Sequence, residues 1–203
     1  MKILTVSDRV VPTLCDHFQA ERFSGVNLIL SCGDLPPEYL SFLVTMFNVP
    51  LFYVQGNHDI RYGGYRPDGC TDLDAKVVLH RGVRILGLGG SHWYNGKPHQ
   101  YTEGQMRQRI RKARPAIRRH GGVDIIITHA PPRHIHDAKD PCHRGFESFR
   151  DLIDRYGPRY LIHGHIHLNY TDQAQRMTVV KETKVINSYG YYLFEIEDGQ
   201  DTK

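Results

Sequence analysis

Five short apolar runs, each ending at polar residues that a strand itself does not need, set the pattern of this chain. Residues Lys2–Ser7 run up to Asp8, residues 27–32 to Gly33-Asp34, residues 51–55 to Gly56-Asn57-His58-Asp59 and residues 124–128 to His129. The fifth, Tyr160-Leu161-Ile162, leads into Gly164-His165-Ile166-His167. Runs of this length read as strands. Between the first three lie helix-length segments, near residues 13–22 and 36–45, the second opening on a proline suited to a first turn. Such alternation predicts an α/β sheet whose polar residues gather at the strand C-terminal ends.

The later pattern adds further elements. Residues 61–71 are rich in Gly, Pro, Tyr, Asp and Arg and read as a loop across a site. Residues 76–80 and Val83–Leu88 flank Arg81-Gly82 as a hairpin. A helix is predicted from Thr102, which can cap with Gln105, to His120 before Gly121-Gly122, with Pro115 bending or interrupting it. A third helix spans about residues 145–156. The tail, residues 178–185 and 191–196, predicts a hairpin around Asn187-Ser188-Tyr189-Gly190. With no repeat or linker in view, residues 1–203 are expected to form a single domain.

Composition narrows the class. Apolar residues at 40% and charged residues at 24% suit a globular protein. No apolar run approaches the ~20 residues needed to cross a bilayer, so no membrane partner is expected. The first eight residues are too short and too soon polar for a signal peptide, and Cys15, Cys32, Cys70 and Cys142 show no paired spacing. Both points favour a cytoplasmic setting. A net charge of +4 fits an anionic substrate and argues against nucleic acid as the partner. Within the basic stretch 107–119, Ile110, Ala113 and Ile117 recur at helical spacing, which favours a solvated amphipathic helix. The aromatic residues Tyr62, Tyr65, Trp93 and Tyr94 fit either stacking on a base or packing.

Thirteen histidines raise the expectation of metal or acid–base chemistry. Asp, Asn and His at the strand ends supply oxygen and imidazole-nitrogen ligands, a set suited to Mn, Fe, Zn, Co or Ni rather than Ca. His165 and His167 stand two apart, so a straight strand would turn both to one face. Loop residues His134, His136 and His143, with Asp137 and Asp140, read as a substrate rim.

The ordered series resembles the calcineurin-like metallophosphoesterase superfamily, whose blocks run Asp-x-His, Gly-Asp, Gly-Asn-His-Asp/Glu, His and Gly-His-x-His. The resemblance implies a four-layer α/β/β/α sandwich that hydrolyses a small phosphomonoester, phosphodiester or nucleotide with a hydroxide activated by one or two divalent ions, Mn foremost. It further implies Asp8, Asp34 and His167 on one metal, and Asp34, Asn57, His129 and His165 on the other, with Asp34 bridging. His58 would be the acid that protonates the leaving oxygen, and Asp59 would orient it. One block departs: Asp8-Arg9-Val10 puts valine where the family has a metal-ligating histidine. The first metal is therefore expected to bind weakly unless His92 or His136 reaches in, and Arg9 is free to meet a substrate phosphate bidentately. A degenerate site of this kind also fits a non-catalytic nucleotide- or metal-binding module, or a scaffold role.

Overall fold

Strands whose residues are nearly all buried must be covered on both faces, and the computed structural model shows what covers them. It describes residues 1–167 and 173–197. The chain first forms β1 (Lys2–Ser7), β2 (Val26–Ser31), α1 (Pro37–Phe47), β3 (Leu51–Tyr53) and β4 (Thr71–Asp72). Then come β5 (Val77–His80), β6 (Val83–Leu88), the short pair β7 (Ser91–His92) and β8 (Gln100–Tyr101), and α2 (Glu103–Arg119). It continues with β9 (Ile125–Thr128), α3 (Glu147–Tyr156), β10 (Tyr160–His163), β11 (Met177–Val180), β12 (Thr183–Asn187) and β13 (Gly190–Glu195).

Two mixed sheets result, in the orders β13-β1-β2-β3-β4 and β11-β12-β10-β9-β6-β5. The pleat divides each strand between two cores. Ile125 and Ile127 face inward to meet Leu28, Leu30 and Phe52 of the other sheet, while Ile126 between them faces outward. On that outer side Ile126, Leu86 and Leu161 pack against Ile110 and Ala113 of α2 and Phe149 of α3. Leu4, Val6 and Ile29 on the opposite outer face meet Leu40 and Leu43 of α1. The protein is thus the expected four-layer α/β/β/α sandwich. β1, β2 and β3 run parallel, as do β6, β9, β10 and β12, so the motif loops leave the sheets at strand C-terminal ends.

Two expectations fail for identifiable reasons, and a third, at Pro115, is narrowed. Residues 13–22 form two 3-10 turns, Pro12–Leu14 and Ala20–Phe23, in place of a helix; only Leu14 and Phe23 of this stretch are fully buried, too few to hold a helical face. Pro115 sits inside α2 without ending it, on an exposed side, while Met106, Ile110, Ala113 and Ile117 bury the other. The tail turn is a crossover between sheets: β12 pairs parallel with β10, whereas β13 pairs antiparallel with β1. The hairpin lies one turn earlier, between β11 and β12, at Lys181 with φ of 55°. Turn residues mark where a chain reverses but not which strand it joins next. Among the described residues no helix is long and apolar enough to cross a membrane.

One ion pair fastens the β6 and β9 entrances. Arg84 Nε and Nη2 donate to the two Asp124 oxygens at 2.7 Å each, and the Arg84 backbone N–H adds a bond of 2.8 Å. Burial raises the Asp124 pKa, but the Arg84 bonds outweigh it and hold the carboxyl below its ordinary value. A carboxylate so depressed stabilises the fold above its unfolded pKa of about 3.9 and loses that contribution as pH falls further. Arg84→Ala should cost about 1–2 kcal/mol in urea unfolding at neutral pH, with the difference from wild type shrinking in acid below about pH 3.

Candidate metal centre

The strand ends turn sharply enough to force unusual backbone conformations. Asp8, Asp34 and His165 all have positive φ, at 64°, 57° and 66°, a region that non-glycine residues occupy at a cost of about 1–3 kcal/mol each. Their neighbouring glycines answer a second constraint, close approach. A Cβ on Gly56 would overlap the Asp34 carboxylate and lie 2.6 Å from His129 Cε1; one on Gly164 would overlap Ser7 Oγ. The glycines of the Gly-Asn-His-Asp and Gly-His-x-His blocks therefore let the loops close on one another.

Within the closed loops, Asp34, His129 and His165 bring ligand atoms all within 4.8 Å of one another. The Asn57 side-chain oxygen stands 3.0 Å from His129 Nε2, and Asp34 Oδ2 stands 3.3 Å from the same nitrogen. His129 is fully buried and His165 and Asn57 nearly so. Hydrogen bonds assign the imidazole tautomers. His129 Nδ1 donates to the Cys32 carbonyl at 2.8 Å, which turns Nε2 toward Asp34 and Asn57. His165 Nε2 donates to the Cys142 carbonyl at 2.7 Å, which leaves Nδ1 as its basic nitrogen.

Electrostatics in this cluster follow from burial and from each other. Burial pushes His129 down, yet the Asp34 charge and hydrogen bond override it and raise the imidazole to about 9. Asp34, which burial would raise, is held well below the usual carboxylate range by His129 and by the backbone N–H of His58. His165 falls to about 4 through burial and the nearby His129. A carboxylate, an amide oxygen and two imidazoles converging where water is excluded form a donor set that fits a divalent transition metal.

The other predicted residues divide. Asp8 lies beside this cluster: it accepts the His165 backbone N–H at 3.0 Å and the Ser7 hydroxyl, and its Oδ1 is 3.3 Å from His167 Nε2. His165 and His167 are not on a straight strand, because β10 stops at His163 and His165 reverses the backbone. His58 is exposed beside a cleft of about 190 Å³ lined by Asp34, Pro36 and Tyr62. Asp59, expected to orient the His58 ring, makes no hydrogen bond to it; among the described residues its carboxylate bonds are to the backbone N–H groups of Asp34 and Gly56, both 2.7 Å. Burial and the Asp34 charge raise Asp59 to about 7. Arg9 is exposed, and Val10 is 41% exposed.

Neither loop histidine reaches the cluster. His92 packs its ring on Phe146 at 5.3 Å, and His136 Nδ1 donates to His163 Nε2 at 2.8 Å while its Nε2 accepts from Thr178. Of the loop residues expected at the rim, His143 lies with its ring 5.2 Å from that of His165. Two contributions were hidden from the sequence. The Asn57 amide donates to the Tyr94 hydroxyl at 3.1 Å, and the carbonyls of Cys32 and Cys142 set the imidazoles. The aromatic pair at 93–94 signals packing as readily as a site, and a carbonyl carries no residue signature.

Comparison with known proteins bears on the family and the fold. A family model described as calcineurin-like phosphoesterase matches residues 7–169. An uncharacterised protein of Haemophilus influenzae is 24% identical, with the match covering 74% of this chain and 78% of that one. The crystal structure of TT1561 of Thermus thermophilus superposes with a TM-score of 0.66 at 17% identity, over 93% of this chain and 89% of the other. The calcineurin-like phosphoesterase YfkN from Bacillus subtilis gives 0.57 at 13% identity, over 98% and 86%. With a match spanning all five strand-end blocks and the same fold in these structures, the chain belongs to the calcineurin-like phosphoesterase family.

Proposed function

We propose that this protein is a metal-dependent phosphoesterase that hydrolyses a small phosphomonoester, phosphodiester or nucleotide in the cytoplasm. The single observation that carries the reading is the converged donor set of Asp34, Asn57, His129 and His165. These residues would hold one divalent ion, with Mn the first choice. Asp8, Asp34 and His167 would hold a second, weaker one. A bound ion there supplies Lewis acidity and lowers the pKa of a water molecule toward neutrality.

The chain's own residues do the rest. His58 stands exposed at the lip of the cleft, its backbone N–H tied to Asp34 at 2.8 Å, and donates a proton to the leaving oxygen. Asp59 acts through the backbone, bonding the Gly33-Asp34 and Gly56-Asn57 loops to each other. The exposed Arg9 guanidinium binds a substrate phosphate oxygen. Asn57, held by Tyr94, keeps its oxygen turned to the centre. Val10 supports a second reading: a first site short of one ligand suits a module that binds a nucleotide or metal without turning it over.

Nitrophenol release from bis(p-nitrophenyl) phosphate and from the monoester, with Mn added, separates the two readings. Turnover should fall by at least about a hundredfold in His58→Ala, the size of a general acid's contribution, and rise in Val10→His. Activity that persists in His58→Ala rules out the acid role, and absence of turnover in the wild type and both variants favours the binding module.

Proton linkage gives an independent check. Because His129 is raised to about 9, the metal-free site carries a proton at pH 8 that an incoming cation must displace. A raised histidine stabilises the fold fully below its unfolded pKa of about 6.5 and loses this as pH rises through 9. Calorimetric Mn titrations at pH 8 in two buffers of different ionisation enthalpy should report proton release, and affinity should rise from pH 7 to 9. Identical heats in both buffers would contradict the assignment of His129 as a ligand.

A further inference from the structure

The basic stretch on α2 is not uniformly solvated. Arg109 turns inward, donating to the Gly89 carbonyl at 2.8 Å, pairing with Asp74 and lying 4.0 Å over the Tyr101 ring. Arg107 is neutralised by Asp151 at 2.9 Å and Glu103 at 3.3 Å. Arg111 and Arg114 of α2 and Arg155 of α3 have no carboxylate in ion-pair contact among the described residues. All three line one cleft of about 540 Å³ between the helices. Asp154 on its wall is already engaged by Lys181 at 2.5 Å.

A second feature of the cleft is independent of its charge. Ser148 is 98% buried and lines it, yet among the described residues Ser148 Oγ has no hydrogen-bond partner, and neither has the buried Nε of Arg114. Buried polar atoms left unpaired are rare in folded proteins and call for a missing partner. Ile110, Leu152 and Tyr156 give the same cleft an apolar floor. Its volume falls within the roughly 300–1,000 Å³ of small-molecule sites, and it shares no residue with the metal centre.

We propose that this cleft is a second binding site, for a phosphate-bearing compound with an aromatic base, of mononucleotide class. Guanidinium groups of Arg111, Arg114 and Arg155 match phosphate oxygens bidentately, and the Ser148 hydroxyl supplies a neutral donor at the buried end. The base covers Ile110 and the Tyr156 ring, which removes apolar area from water. A bare phosphate satisfies the first requirement but not the second.

Calorimetric titration of ADP into the full chain in EDTA tests this, since the chelator keeps the metal centre from contributing. Saturable one-to-one binding is expected, weakened about tenfold or more in Arg111→Gln/Arg114→Gln and again in Arg155→Gln, and unchanged in Asp34→Asn. Arg111 and Arg155 are exposed and Arg114 is half-buried with no carboxylate partner among the described residues, so thermal unfolding by circular dichroism should stay close to the wild type in each variant. No saturation up to about 5 mM ADP, or equal affinity in the arginine variants, overturns the site. Binding lost in Asp34→Asn alone assigns ADP to the metal centre and also overturns it. Inorganic phosphate binding as tightly as ADP overturns the nucleotide class.

Discussion

Three buried carboxylates, gathered where three strands end, are the constraint around which this molecule is built. Each would be prohibitively costly to bury alone, so each is fastened by hydrogen-bond donors. Asp34 accepts from the His58 backbone, Asp59 from the backbones of Asp34 and Gly56, and Asp8 from that of His165. The same bonds that make the charges tolerable join the loops in pairs. β2 is tied to β3 through Asp34 and Asp59, and the first sheet to the second through Asp8. The positive φ values and the glycines follow from this, since only sharply turned, side-chain-free loops come that close.

This arrangement explains why part of the molecule is legible from residues alone. Burial on both faces gives β1, β2 and β9 apolar runs with clear ends, and the residues at those ends are polar for reasons unrelated to strand formation. The capping box at Thr102 and Gln105 is equally local, and the structure contains it. What escapes is whatever depends on distant partners. The turn at 187–190 has the composition of a hairpin, but Ser188 bonds to Thr5 at 2.7 Å and to the His163 carbonyl, so it bridges the two sheets instead. His136 looks like a rim residue until His163, buried and driven well below its ordinary pKa, takes its proton as a hydrogen bond. Asp59 sits next to His58 in sequence, yet its bonds to two backbone N–H groups outrank that proximity.

The site and the arginine cleft differ in how completely their polar groups are satisfied. At the strand ends the carboxylates and imidazoles balance one another, and the shifts of Asp34 and His129 are opposite faces of one interaction. A cation bound there would replace a proton rather than fill an electrostatic void. Between α2 and α3 the reverse holds: among the described residues Arg111, Arg114 and Arg155 have no carboxylate in ion-pair contact, and the Ser148 hydroxyl has no hydrogen-bond partner. Val10, an exposed apolar side chain where the family pattern has a histidine, is why the second ion is proposed to bind weakly.

The central claim is that Asp34, Asn57, His129 and His165 make one strong metal site while the Asp8–His167 side is weak. Counting tightly bound Mn per chain, by equilibrium dialysis and elemental analysis, tests it most directly. One tight equivalent is expected in the wild type, a second in Val10→His, and none in Asp34→Asn. Two tight equivalents in the wild type, or a tight site that survives Asp34→Asn, would contradict it.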